Sequence, residues 1–467
     1  MRILFVTPYV PSPIRVRPYH FVQELARRHE VVVLSLWQGE RERGDLAALR
    51  RLVPVVGVWL PRLDALLNCA RALPGSVPLQ AAYCRSRPFE RLLRAALTQG
   101  GEELDLPPEL REPFDVVHVE HLRAAYLGEA IPRMMPSVVD AVDCISLLLS
   151  RTRRSSHRGR QRLLAALELP RTRRFEAEAM ARFDEVAVTS PADAAALRRL
   201  NPALRVSEIA NGVDLTYFQL DPRPRDPETI VFTGKMSYHA NATAALYFAR
   251  EVLPRIRARR PGVTFHIVGS DPPAEIRALA RAPGVVVTGH VPDLRPYLSQ
   301  ASIAVAPMVV KVGIQNKILE AMAVGTPVVT TSLGAEGLAA VDGCDLEVAD
   351  GAEAFAARVL WLLDDPERLW RLRDAGRRYV EERHTWVAAA RRLEDLYASA
   401  VAAHDRAGRL AAGRPVEAGH TLGLVEGGAS ERPEVDAVEG ELVLDEQRCG
   451  IEPSWGRAVE DEVTELV

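Results

Sequence analysis

The sequence predicts an α/β protein of two lobes in tandem, each a parallel sheet dressed with helices. Three observations predict it. From Arg2 onward, short apolar runs alternate with longer segments of helical period, the pattern of successive βα units. One stretch dense in turn residues breaks that alternation, running from Asn211-Gly212-Val213-Asp214 to Asp221-Pro222-Arg223-Pro224-Arg225-Asp226-Pro227. Beyond it the alternation restarts.

Residues 2–7 read as a buried strand, 19–28 as a helix with Phe21, Val22 and Leu25 on one face, and 31–36 as the next strand. Strands follow at 115–119 and 185–189, with a helix at 173–182 before the second. The first lobe is expected over 1–204 and the hinge over 205–228. In the second lobe, expected over 229–384, strands at 229–233, 264–268, 285–288, 303–307 and 327–331 alternate with helices at 240–259, 273–281, 294–299 and 315–323. Helices at 352–363 and 366–382 close it. A last helix, 385–403, carries Trp386, Ala390, Leu393, Leu396 and Tyr397 as an apolar stripe that must be buried somewhere. Past Gly408, acid and glycine dominate without a sustained apolar period, so 408–467 is expected to be a disordered tail.

The chain has 467 residues, with 59 Lys+Arg against 62 Asp+Glu, a formal net charge of −3. The composition excludes a collagenous, low-complexity or wholly disordered chain. The charge is segregated: beyond Pro415 there are 14 acidic residues against three arginines, so the rest is net basic and favours an anionic partner. Five scattered cysteines with no C-x-x-C pair indicate neither a disulfide framework nor a zinc site and fit a reducing compartment. Pro8, Pro11, Pro13, Arg15 and Arg17 interrupt the N-terminus before a signal peptide could form, and no run approaches bilayer length. A cytoplasmic protein, peripheral to the membrane at most, is expected.

Two α/β lobes first suggest dinucleotide binding, but the turn after the first strand is Thr7-Pro8-Tyr9-Val10-Pro11-Ser12-Pro13, with no glycine for a pyrophosphate to approach. A P-loop is also missing. The informative stretch runs from Lys311 to Val329, a loop containing Gly313 followed by a helix that ends at Gly325. The helix start points free N–H groups at the carboxyl edge of the sheet, where a diphosphate is favoured. Lys317 adds a charge in the first turn, and Glu320 follows near the same face. On spacing alone, Lys317 is equally a solvated cation and Glu320 equally a compensation of the helix dipole.

This segment, together with Phe232-Thr233-Gly234-Lys235-Met236, His266-Ile267-Val268-Gly269, Val287-Thr288-Gly289-His290-Val291 and Asn211-Gly212-Val213-Asp214, resembles the retaining GT-B glycosyltransferases of family 4. It is most similar to the sugar transferases found with exopolysaccharide gene clusters. The resemblance implies two Rossmann-like domains facing across a cleft, with the last helix, over 385–407, crossing back to the first. It implies a nucleotide-sugar donor, a glycan or lipid-linked acceptor, no cofactor and no metal. Of the family's two glutamates eight positions apart, Glu320 matches the second, which binds ribose hydroxyls, whereas the first falls at Val312. Lys235 falls near a basic residue set against the donor diphosphate, and Gly234, Gly313, Ile314, Gln315 and Asn316 are expected donor contacts.

In the first lobe, Arg15 or Arg17 could supply the charge that glycine amides give in relatives, or both could be solvated loop residues. Glu120 occupies a strand end that often carries a cleft histidine, with His121 beside it; His118 could equally be a satisfied core residue. Asp140 and Asp143 could reach an acceptor hydroxyl or cap the following helix, the cap being preferred for one. Transfer is expected on the donor's own face, with the diphosphate accepting the acceptor's proton. The basic run from Arg151 to Arg174, interleaved with leucines, reads as a face for an anionic bilayer or as a solvated helical hairpin; without aromatics it is a poor nucleic-acid arm. Two other readings keep the fold: a nucleotide-sugar-binding or assembly protein without catalysis, supported by Val312, and a sugar epimerase.

Overall fold

A computed structural model describes residues 1–98, 106–155, 159–310 and 313–411. The acidic tail expected over 408–467 therefore lies, from 412 on, outside the described residues, as does Val312. Among the described residues, thirteen strands form two wholly parallel sheets. The first contains β1 (Arg2–Thr7), β2 (Glu30–Trp37), β3 (Val55–Trp59), β4 (Val116–Glu120), β5 (Ser137–Val142), β6 (Glu185–Val188) and β7 (Val206–Glu208) in the order β3-β2-β1-β4-β5-β6-β7. The second contains β8 (Asp226–Thr233), β9 (Thr264–Val268), β10 (Val285–Gly289), β11 (Ala301–Ala306), β12 (Val328–Thr330) and β13 (Glu347–Val348) in the order β10-β9-β8-β11-β12-β13. This is the Rossmann-like arrangement twice over, as the GT-B expectation required.

The strands are central because they are apolar on both faces. All of Ile3-Leu4-Phe5-Val6 is fully buried, as parallel strands covered by helices on both sides must be. Register is fixed by the pairs Ile3↔Val31 and Ile3↔Val116 in the first sheet and Thr233↔Val268 in the second. One face of the first sheet packs on Phe89, Leu93 and Tyr126, while the other is covered by Phe21, Val22 and Leu25 together with Trp386, Ala390, Leu393, Leu396 and Tyr397 of the last helix, Trp386–Ala411. The terminal stripe is thus buried against the first lobe.

Three local readings change. β7 pairs with β6, so the first sheet extends past Leu204 into the stretch expected as hinge. The helix expected over 173–182 is the end of a longer one, Gly159–Ala179, followed by a 3-10 turn at Met180–Arg182. The helix expected over 240–259 is helical at His239–Tyr247 and Leu253–Arg257 but passes through a π turn at Phe248–Val252. Pro254 has no N–H to donate into a regular ladder, and the wider turn absorbs that loss.

The chain crosses between the lobes twice in one place. Val213 pairs with Thr385, the Val213 N–H donates to the His384 carbonyl at 2.8 Å, and a Cβ on Gly212 would lie 2.5 Å from the Trp386 nitrogen. Glycine is required there by the closeness of the second crossing.

Candidate functional site: the crevice between the two sheet edges

Strand order reverses between β1 and β4 in the first sheet and between β8 and β11 in the second, and the carboxyl ends beside such a reversal leave a crevice. At the second reversal, the turn Gly234-Lys235 after β8 stands beside helix Asn316–Ala323 after β11. A Cβ on Gly269 would lie 1.8 Å from the Gly234 carbonyl oxygen, so these two turns pass with no room for a side chain.

Helix Asn316–Ala323 has Gln315 at its N-cap, and among the described residues the Gln315 side chain makes no capping hydrogen bond to it. The Ile318 N–H turns back to the Gln315 carbonyl at 2.9 Å, which leaves the N–H groups of Asn316 and Lys317 to face an anion. Lys317 Nζ donates to Asn241 Oδ1 and Gln315 Oε1, each at 2.9 Å, and lies 5.4 Å from the centre of the Phe232 ring. Burial pushes its pKa down to about 8, with Glu320 pulling the other way. The same burial raises the Glu320 carboxyl, opposed by Lys317. Asn241, which the sequence reading did not single out, also donates to the Lys235 carbonyl at 3.0 Å and so ties the Gly234 turn to Lys317. No pattern marked it, because its two partners lie in separate segments. Lys235 itself is exposed, with Nζ 3.7 Å from Asp271 Oδ2; the half-buried cation of the crevice is Lys317.

The lobes touch along this loop. Asn211 Nδ2 donates to Asn316 Oδ1 at 3.2 Å. A Cβ on Gly337 would stand 3.3 Å from Ile314 and 3.6 Å from Ser190, and one on Gly313 would stand 3.2 Å from Asp143 Oδ1. Gly313 thus faces Asp143 of the first lobe, Gly337 lies near Ser190, and Asn316 meets Asn211 of the crossing.

On that side, the arginines are committed. Arg17 is 5% exposed; its Nε donates to Asp140 Oδ2 at 2.7 Å and its Nη1 to the Ile209 carbonyl and Asn211 Oδ1 at 2.8 and 2.9 Å. Arg15 stacks on Tyr9 and pairs with Glu42 at 2.5 Å. Neither is a freely solvated loop residue. Arg17 serves as a buried bracket between β5 and the crossing, with only Nη2 lacking a partner.

Glu120 is fully buried with Oε1 unpartnered; burial and Asp140 raise its pKa well above the usual range, against the pull of Arg17 and Tyr9. His118 is a satisfied core histidine: it stacks on Phe5 at 4.0 Å, meets the Tyr397 hydroxyl at 2.9 Å, and is pushed down to about 3 by burial and Arg17. His121 adopts φ +69°, accepts the Arg123 N–H at 3.2 Å through Nδ1, and is held near 3 by burial and Arg123. Ligand atoms of His118, Glu120 and Asp140 lie within 4.8 Å of one another, a spacing that suits a cation. The Arg17 guanidinium already supplies the positive charge, and Tyr397 occupies His118, so the donor set does not fit a metal ion.

Neither Asp140 nor Asp143 caps the helix Ile145–Ser155. Its start is held instead by Glu176 Oε1, which accepts the Ser146 N–H at 3.1 Å, and by Asp193 Oδ1, which accepts the Cys144 N–H at 2.9 Å. Asp140 Oδ1 accepts the Val142 N–H at 3.0 Å, and Asp143 Oδ1 accepts the Thr189 hydroxyl at 3.2 Å.

Residues 227–365 match the family model described as glycosyl transferases group 1. A phosphatidyl-myo-inositol mannosyltransferase of Mycolicibacterium smegmatis is 33% identical over 170 residues, 34% of this chain and 43% of that protein. Matches of this kind span about half the length of the curated relatives. Among solved structures, the sucrose-phosphate synthase of Thermosynechococcus elongatus superposes with a TM-score of 0.60 over 86% of this chain and all of that one, at 17% identity. HepE of Anabaena in complex with UDP superposes with a TM-score of 0.58 over 85% of this chain and all of that one, at 14% identity. At these identities the likeness is one of fold.

Proposed function

We propose that the chain, whose residues 227–365 match the model of group 1 glycosyl transferases, transfers a hexosyl group from a nucleotide-sugar to a glycan or lipid-linked acceptor with retention, in exopolysaccharide or cell-surface glycan synthesis. The observation that carries this reading is the uncapped start of helix Asn316–Ala323 with Lys317 in its first turn, set at the carboxyl edge of the second sheet against the first lobe. A diphosphate fits there by charge and by hydrogen-bond donors. Glu320, one turn on, takes the ribose hydroxyls in this reading, as the family resemblance implies. A solved neighbour holding UDP-glucose supports the donor class, and a curated relative named for a phosphatidylinositol supports a lipid-linked acceptor.

In the reaction, the bond from the anomeric carbon to the diphosphate oxygen breaks as the acceptor oxygen bonds that carbon on the same face. The acceptor's proton passes to the departing diphosphate. Helix N–H groups and the Lys317 ammonium stabilise charge as it develops on the leaving group.

The first lobe supplies a surface for the acceptor's membrane. Leu63, Leu66 and Leu67 on helix Arg62–Ala72, with Leu73 after it, are 67, 60, 41 and 57% exposed; Leu163 and Leu167 on helix Gly159–Ala179 are 64 and 56% exposed. Arg171 bonds the Leu73 carbonyl and joins the two helices. Exposed Arg153, Arg173 and Arg174 flank them, while the side chains of Arg154, Arg158 and Arg160 lie outside the described residues. No described helix is long and apolar enough to cross a membrane. Cys69, Cys84 and Cys144 are free thiols, but Cys344 is disulfide-bonded, so the cysteines run against the expected reducing compartment and do not support a cytoplasmic placement.

The test is incubation with a panel of UDP- and GDP-sugars, following nucleotide release with and without acceptor. Acceptor-dependent release is expected, and Lys317→Ala or Glu320→Ala should each lower it by roughly 10²–10³ without unfolding the protein. Binding without release would identify a carrier, and interconversion of sugars an epimerase. Near wild-type turnover in both variants would remove the site assignment.

A further inference from the structure

The carboxyl end of β5 carries a strained turn that strand termination alone does not require. Val142 has φ +66°, a left-handed conformation that a β-branched side chain strongly disfavours. The Asp143 N–H donates to the Ala141 carbonyl at 2.9 Å, closing a three-residue turn of the rare, strained hand. Its surroundings hold it firmly: Val142 donates its N–H to Asp140 Oδ1, Arg17 grips the other Asp140 oxygen, and the Val142 carbonyl accepts the Thr189 N–H at 2.8 Å. Strain of this kind persists where neighbours over-determine it, and it concentrates at functional sites.

What the turn presents is the Asp143 carboxylate. It accepts the Thr189 hydroxyl and lies 3.2 Å from the point where a Cβ on Gly313, in the opposite lobe, would stand. The described residues of that opposite loop, Gly313, Ile314, Gln315 and Asn316, bring no carboxylate of their own. We propose that Asp143 binds hydroxyls of the transferred sugar, reaching from the first lobe to the Gly313 loop of the second. This rests on the donor reading above and adds which side chain recognises the sugar. A carboxylate has acceptor sites left over after one bond to Thr189, and sugar hydroxyls are matching donors. The nucleotide then needs only the second lobe, whereas the sugar needs both lobes together. Arg17 and Asp140 are positioning residues for the turn.

The experiment is calorimetric titration of the full chain with UDP, GDP, UDP-glucose and GDP-mannose, comparing wild type, Asp143→Asn and Asp143→Ser, with melting temperatures to confirm folding. The nucleoside diphosphate that binds wild type should bind both variants within about twofold. The matching nucleotide-sugar should weaken about tenfold or more, the scale of a hydrogen bond to a charged group. Unchanged nucleotide-sugar affinity in a folded variant overturns the inference and leaves the donor reading standing. Equal weakening of diphosphate and nucleotide-sugar also overturns it, because Asp143 would then act on the lobe as a whole. Wild type that binds none of the four overturns the donor reading, and this inference with it.

Discussion

At Lys317, folding and ligand binding pull in opposite directions. Burial brings its pKa from the usual 10.5 down to about 8. Between those values the unfolded chain holds a proton that the folded chain has released, so the Lys317 contribution to stability improves as pH rises across that window. A diphosphate, by contrast, needs the cation. Affinity for a nucleoside diphosphate should therefore fall several-fold between pH 7 and pH 9, with proton uptake on binding at the higher pH. Titration in buffers of different ionisation enthalpy reads both effects, and Lys317→Met should abolish them while raising stability above pH 8 less than below it. A pH-flat affinity in wild type would contradict this account of the site. Lys317 and Glu320 were legible in the sequence because both lie on one short helix after a glycine loop. Arg17 was not, because Asp140 and Asn211 are 123 and 194 residues away from it. Nothing local distinguishes an arginine bound for a buried ion pair from one bound for solvent. Asp143 was legible as a carboxylate at a strand end, but its strained turn was not.

Among the elements, the last helix decides how the two lobes form one molecule. Trp386 packs edge-on against Phe21 with ring centres 5.6 Å apart and stacks on His20 at 5.0 Å, and Tyr397 reaches through to His118. Trp386→Ala should cost about 3–5 kcal/mol by loss of burial and the cavity left behind, measured by denaturant unfolding. A change below about 1 kcal/mol would mean that the stripe is not a working part of the first lobe's core. The need to bury Trp386, Leu393 and Tyr397 was written in their spacing, but the surface that buries them was not, since periodicity names a face and never its partner. The π turn at Phe248–Val252 shows a similar limit: the apolar period ran straight through it, and Pro254 was the one local sign. β7 escaped notice because three residues are too short for an alternation to register.

For the whole molecule, two duplicated sheets bring their carboxyl edges together, and the first lobe turns its exposed leucines and arginines outward. Vesicle co-sedimentation should show binding to anionic bilayers that weakens with added salt, and Leu63→Gln with Leu66→Gln and Leu67→Gln should reduce it. Equal binding to zwitterionic vesicles, or no effect of the leucine changes, would remove the membrane surface. The double-lobed architecture was legible because βα alternation and a single turn-rich break are global features that survive local error. The facing of the lobes was not, because contacts such as Asn211 with Asn316 depend on how two domains are docked. The central claim is that the start of helix Asn316–Ala323 receives the donor's diphosphate. A crystal structure of the protein with the UDP or GDP that it binds tests this most directly. The account predicts the β-phosphate at the N–H groups of that helix, within hydrogen-bond reach of Lys317 Nζ, with the ribose at Glu320. A nucleotide seated elsewhere, with Lys317 still bonded only to Asn241 and Gln315, would contradict it.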